Sequence, residues 1–229
     1  MKKLYFRLMG ITCFLFLFAS CISQKGRLQS GFVYAQEKIP GLALDLRYFG
    51  AHNFTGRPVK GYERPVLILS RKAVYALKKV QKDLRKKGLA LKVFDAYRPQ
   101  RAVSSFEVWA RNANDTIAKA EFYPDVDKHD LFRLGYLAAK SGHTRGSTVD
   151  LTLIDIQTGE ELDMGSPFDL FGEISHQDTG KINELQKKNR QILRQAMLDH
   201  HFKDYHEEWW HFTLIDEPFP DTYFDFPVN

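Results

Sequence analysis

The sequence predicts an α+β domain in which helices pack against a mixed or mainly antiparallel central sheet. Three observations carry that expectation. Residues 70–87 repeat apolar side chains at helical spacing, residues 148–154 alternate them at strand spacing, and the two patterns do not follow one another regularly as βαβ units would. The chain has 229 residues, 44% hydrophobic and 27% charged, and no internal repeat or low-complexity segment. That is ordinary globular composition with enough apolar content for one sizeable core, so a single domain is expected.

The first residues stand apart from that domain. Lys2, Lys3 and Arg7 precede an apolar run from Ile11 to Ala19 that is too short to cross a bilayer, so residues 1–20 read as a signal peptide. Ala19 and Ser20 before Cys21 resemble the lipobox of bacterial lipoproteins, although Phe18 stands where an aliphatic residue is usual. Cys21 is then expected to carry lipid, residues 21–30 to form a polar tether, and the protein to be exported to the periplasm and held at a membrane. Ordinary cleavage to a free periplasmic protein is the alternative. Cys13 lies inside the removed segment, which leaves the mature domain no cysteine pair to cross-link. Removing residues 1–20 takes the net charge from +5 to +2, and no stretch interleaves base with aromatics, so nucleic acid is not an expected partner.

The domain is expected over 31–229. Pro40-Gly41, Gly50, Gly56, Pro58 and Gly61 predict loops and brief strands up to residue 65. Ala73, Val74, Leu77, Val80 and Leu84 then mark one helix face, with Ser70 as cap and Gly88 as stop. Leu89, Leu91 and Val93 predict a strand that delivers Asp95 to Arg98 at its end, and after Pro99 a helix should turn Val103, Phe106 and Trp109 inward. Val149, Leu151 and Leu153 predict a strand with its apolar face on the core and Asp150 on the other face. A helix over 181–201 is expected to bury Ile182, Leu185, Ile192, Leu193, Ala196 and Met197, and a β-rich stretch from Trp209 to Ile215 follows it.

Two short stretches carry chemistry. In Ser141-Gly142-His143-Thr144-Arg145-Gly146-Ser147-Thr148-Val149-Asp150 an imidazole and a carboxylate flank a glycine-containing turn, and Glu207-Glu208-Trp209-Trp210-His211 runs an acidic pair into an aromatic strand with a second imidazole. Taken singly, each reads as readily as a surface acid or a satisfied core histidine. Together, two histidines and one aspartate would leave a tetrahedral zinc a fourth position for water, with its pKa lowered to about 7 and a glutamate nearby to take its proton. Strand parity puts Glu207, not Glu208, on the face of His211, and on parity alone Glu207 is the better base.

These stretches, with Asp45-Leu46-Arg47-Tyr48, Asn53-Phe54-Thr55-Gly56, Tyr97-Arg98-Pro99, Met164-Gly165-Ser166 and the closing Tyr223-Phe224-Asp225-Phe226-Pro227, resemble the zinc D-Ala-D-Ala peptidases over nearly the whole mature chain. The similarity is greatest to their D-alanyl-D-alanine dipeptidases, relatives in fold of hedgehog signalling domains. It implies hydrolysis of the D-Ala-D-Ala dipeptide to free D-alanine with one Zn2+ per chain on His143, Asp150 and His211. It makes Glu208 the base and Arg98 the stabiliser of the developing oxyanion, a task suited to a guanidinium that stays charged. It further assigns Asp169 to the substrate's free ammonium and Ser141 to the same pocket. Thr148 replaces the family's usual alanine and Ala96 a common glycine, which would alter pocket size. His52, His129, His176, His200, His201 and His206 match no role, and His200-His201 should sit at a helix end. A murein D,D-carboxypeptidase or endopeptidase, or a noncatalytic zinc domain that binds peptidoglycan, is the competing implication.

Overall fold

The computed structural model describes residues 28–229, and the expected signal peptide, Cys21 and the tether up to residue 27 lie outside them. The described chain opens with a short strand, β1 (Phe32–Tyr34), followed by β2 (Ala43–Leu44) and by β3 (Ile68–Ser70), which pairs antiparallel with β1. Ser70 then caps α1 (Arg71–Arg85), its side chain accepting from the Ala73 N–H, and the five expected apolar residues of this helix are buried. Gly88, at φ +75°, turns the chain into β4 (Leu89–Asp95), and helix α2 (Gln100–Arg111) follows Pro99 with Val103, Phe106 and Trp109 buried as expected. A single turn, α3 (Lys119–Phe122), leads through loops to β5 (Thr148–Asp155), α4 (Glu184–Leu198), β6 (Phe202–Tyr205) and β7 (Glu208–Leu214).

The main sheet runs β2-β4-β5-β7-β6, parallel only between β2 and β4. It is therefore the mixed, mainly antiparallel sheet of an α+β fold. Val149, Leu151 and Leu153 are fully buried in one core that also holds Leu77, Val80 and Leu84 of α1 and Leu193 and Met197 of α4. Strand alternation sends Asp150 to the other face, where the site lies.

Helix α4 departs from expectation. It starts at Glu184 behind an Asn183–Gln186 capping box, so Ile182 precedes it, Leu185 is 62% exposed, and Ile192 and Ala196 are half-buried. In their place Asn189 and Arg190 are buried, because the Arg190 guanidinium donates to the carbonyls of Met164 (2.6 Å), His176 (2.8 Å) and Ile174 (2.9 Å). Asn189 likewise donates to the Asp163 carbonyl at 2.8 Å. This helix holds the 163–176 loop by polar groups, which apolar periodicity cannot reveal. His200 and His201 sit just past its end, with His201 at φ +65°.

Candidate active site

Strand β5 sets the level of the site. Asp150 lies opposite His211 of β7, and on its other side a break in the β4 register places Asp95 opposite it. The pairing steps from Val93–Leu151 to Asp95–Asp150, so Phe94 is an extra residue. Without that bulge Asp95 would face Val149 instead. His143 arrives on a 3-10 turn, Gly142–Arg145, whose capping Ser141 side chain accepts from the His143 N–H at 3.3 Å. Gly146 closes the turn at φ +79°, where a Cβ would come within 2.0 Å of the Phe32 ring. Glycine is needed there on both counts.

The His143 ring is fixed by a 2.7 Å contact between Nδ1 and the Ala96 carbonyl, which makes Nδ1 the donor and leaves the Nε2 lone pair for the cavity. That Nε2 is 3.2 Å from Asp150 Oδ2 and 3.3 Å from His211 Nδ1, and His211 Nδ1 is 3.1 Å from Asp150 Oδ1. One ligating atom from each residue falls within 4.8 Å of the others. Asp150 Oδ1 is buried with no hydrogen-bond partner. Nitrogen and carboxylate lone pairs that converge in a buried place and leave an oxygen unsatisfied fit a cation, and this donor set suits zinc. Burial alone would raise the Asp150 carboxyl, but the two imidazoles outweigh it and hold the group well below the carboxylate range. Burial opposes the charge on His211, yet the carboxylates of Asp150 and Glu208 beside it push the ring up to about 9 when no metal is bound.

The parity conflict over the glutamates resolves in the β6–β7 ladder. Its register jumps from Asp204–Phe212 to Tyr205–Glu208, so Trp209, Trp210 and His211 have no β6 partner and the two-residue period breaks between Glu208 and His211. Glu208 Oε2 comes within 3.4 Å of His211 Nδ1 and lines the cavity, whereas Glu207 does not. The face argument for Glu207 fails because it assumed a regular strand.

Arg98 and Asp169 complete the cavity, which measures about 220 Å3 and has walls that include Phe54, Phe106, Tyr136 and Phe171. That is below the ~300–1,000 Å3 usual for drug-sized ligands and suits a small substrate. Arg98 Nε donates to Asp95 Oδ2 at 2.9 Å, its Nη2 lies 3.5 Å from Asp150 Oδ2, and its guanidinium carbon sits 4.9 Å from the Tyr48 ring centre. Asp169 is buried, and both of its carboxylate oxygens accept from the Tyr48 hydroxyl, at 3.2 and 3.0 Å. Burial first, then the charges of Asp150 and Glu208, raise the Asp169 carboxyl well above its ordinary value. Ser141 lines the same cavity, together with His143, Asp150, His211, Glu208, Arg98, Asp169 and Tyr48, whereas Asp95 and Glu207 do not.

Two residues of consequence went unassigned in the sequence. Asp95 holds Arg98 and also accepts from the Tyr62 hydroxyl at 2.7 Å; an acid three positions before an arginine at a strand end was its one visible signal. Tyr48 holds Asp169 across 121 positions, a pairing no local pattern could show. Thr148 and Ala96 do not shape the pocket. The Thr148 hydroxyl is buried against that of Thr213 at 2.8 Å, and Ala96 serves through its carbonyl. The unmatched histidines stay outside the cavity: His52 pairs with Glu121, His200 with Asp83, and His176 with the Tyr136 hydroxyl.

Residues 28–229 match the family described as D-ala-D-ala dipeptidase. The chain belongs to that family. Among relatives, the D-alanyl-D-alanine dipeptidase of Enterococcus faecalis is 41% identical over 202 residues, 88% of this chain and all of that protein. Those of Streptomyces coelicolor and Escherichia coli are 42% and 33% identical, over 86% and 76% of this chain and 98% and 80% of theirs. The chain is thus a peptidase by family, and His143, Asp150 and His211 form a buried group able to hold a metal.

Proposed function

We propose that this peptidase hydrolyses D-alanyl-D-alanine to two molecules of D-alanine with one zinc ion held by His143, Asp150 and His211. The observation that carries the reading is the convergence of those three ligands with Glu208 and Arg98 in a small cavity that ends on the buried carboxylate of Asp169. Bound zinc supplies Lewis acidity and a water whose pKa falls to about 7.

The chain's own residues do the rest. Asp169 accepts from the dipeptide's ammonium, with Tyr48 fixing the carboxylate and Ser141 lining the same end. Glu208 takes the proton of the attacking water as the new C–O bond forms, and passes it to the departing nitrogen as the C–N bond breaks. Arg98 directs a guanidinium, already oriented by Asp95, at the carbonyl oxygen as it gains charge. In this reading the chain is exported and anchored through an acylated Cys21; protein from a native-like host should begin at Cys21 with lipid attached, and a different first residue would overturn that part. Metal analysis and turnover of D-Ala-D-Ala, its N-acetyl derivative and a murein pentapeptide test the activity. The free dipeptide should be the preferred substrate and zinc should be present at one per chain. Equal turnover of the pentapeptide would instead make the enzyme a D,D-carboxypeptidase.

A further inference from the structure

Helix α1 buries one face and offers the other to solvent with an unusual charge. The whole chain carries +5, and residues 1–27 hold five Lys or Arg and no acid, so residues 28–229 are neutral. Within them residues 71–87 hold eight Lys or Arg against Asp83 alone, a net +7, which leaves −7 spread over everything else. Base is therefore concentrated in this domain after all, though with a single aromatic, Tyr75, among it. Arg71, Tyr75, Lys78, Lys82 and Arg85 follow one another at helical spacing, opposite the buried Ala73, Leu77, Val80 and Leu84, and all five are exposed. Tyr75 is 65% exposed at the centre of the stripe, with Lys79 Nζ 4.4 Å from its ring centre. Lys78, Lys79, Lys82 and Arg85 form no ion pair among the described residues.

We propose that this face of α1 is a docking surface for anionic phospholipid headgroups of the membrane to which the chain is tethered. The orientation rests on the anchored reading above; the charge does not. Six cations against one anion on the helix, with Lys86 and Lys87 just past its end, complement an anionic leaflet, and an exposed tyrosine suits the headgroup level. The place where the chain enters the domain agrees. The Gly31 carbonyl accepts from the Arg71 N–H at 2.9 Å, so the domain begins beside the first turn of α1. Ten residues separate Gly31 from Cys21, a reach of at most about 36 Å. A lipid chain and a polybasic patch on the same side are the two signals that stable attachment needs. No residue that lines the candidate active-site cavity belongs to α1.

The test uses the chain from Leu28 onward, the residues that match the family and that hold the whole of the described core. It is mixed with vesicles of phosphatidylcholine, alone or with one third phosphatidylglycerol, and the bound fraction is read by sedimentation. Binding should need phosphatidylglycerol and fall as salt rises. Replacing Lys78, Lys79, Lys82 and Arg85 together by Gln should weaken partitioning by roughly several hundredfold, from about fivefold per cation. Lys187→Gln with Lys188→Gln on α4 should change it little. Equal binding to both vesicles, or an unweakened quadruple variant, overturns the proposal; so does capture by heparin or DNA without vesicle binding, which would assign the face to a soluble polyanion. Because this chain lacks Cys21, failure of acylation in the cell leaves the result untouched.

Discussion

Asp169→Asn should separate the stability of this domain from its activity. The substitution removes a charge and almost nothing else. Asp169 sits at φ +63°, a left-handed conformation that asparagine also tolerates, and an asparagine carbonyl can still accept from the Tyr48 hydroxyl. In the substrate-free protein the carboxylate is 4% exposed near Asp150 and Glu208, and burial with those charges holds its pKa well above the usual value. Between the unfolded value near 3.9 and that raised folded value, the native state binds more protons than the unfolded one. Stability therefore falls as pH rises through this window, and the variant should lose that slope and melt at or above the parent's temperature at neutral pH. The substrate ammonium, in contrast, would enter a desolvated pocket without its counter-charge, a loss of about 2–5 kcal/mol. That corresponds to roughly 30- to 5,000-fold in kcat/KM for free D-Ala-D-Ala. The N-acetyl dipeptide, which has no ammonium, should lose far less. Thermal melts across pH and the two substrates measured side by side check the argument. A variant that loses stability and activity together, or that loses both substrates equally, would show Asp169 to be a turn residue and refute it.

Glu208→Gln should keep the metal and lose about 10²–10⁴-fold in kcat, while Glu207→Gln should stay within a few-fold of the parent; the reverse ranking in steady-state assays would restore the parity argument. His143→Ala and His211→Ala should each abolish metal retention in equilibrium dialysis together with activity. With His211 raised to about 9, the metal-free site is protonated at neutral pH, and the stability from that charged pairing is present below about 6.5 and lost as pH rises through 9. Adding zinc at pH 7.5 should accordingly release a proton from His211 in addition to heat, and the release should fade above pH 9; calorimetry in buffers of different ionisation enthalpy reads it. Gly146→Ala meets both a left-handed φ and the Phe32 ring, and should cost about 2–5 kcal/mol in denaturant unfolding.

The elements that were legible in the sequence are those that bury one clean apolar face. Helix α1, β4, α2 and β5 followed their spacing because Leu77, Val93, Phe106 and Leu151 each go to a core that asks only for apolar volume. Helix α4 was half legible, since Arg190 is buried for the sake of three backbone carbonyls rather than for its hydrophobicity. Strands β1, β2 and β6 are too short to carry a period, and β6 falls between the helix expected to end at 201 and the β-rich stretch expected from Trp209. The metal group was visible as residue types, but the placing of Asp95 and Glu208 beside it depends on two register breaks, and a break cannot be seen in one strand alone. Phe94 looks like one more strand residue, and only its pairing with β5 shows that it is the extra one that turns Asp95 toward Asp150. Parity reasoning chose Glu207 for the same cause: the rule was sound for a regular ladder, and β7 is irregular where the site needs it to be.

The directions of the shifted groups around the cavity follow from one excess. Asp95, Asp150, Asp169 and Glu208 are four buried carboxyl groups gathered around one buried permanent cation, Arg98, and two imidazoles, with the exposed Lys140 also lining the cavity. With the carboxyls ionised and the imidazoles neutral, three negative charges are uncompensated in a desolvated place. Without a metal the site can meet that excess only with protons. Burial raises Asp95 and Asp169, and His211, against the effect of burial, is drawn up to about 9 by the acids it touches. Only Asp150 moves the other way, because it is the one acid in contact with both imidazoles. A divalent ion on His143, Asp150 and His211 would reduce the excess to a single charge, and a substrate ammonium at Asp169 would offset that charge locally, the dipeptide's own carboxylate lying at its other end. In the proposed reading the acid cluster is electrostatically incomplete until both a metal and a free amino terminus are present, which would tie a preference for an unblocked dipeptide to Asp169 and to Asp150, the acid that would hold the metal.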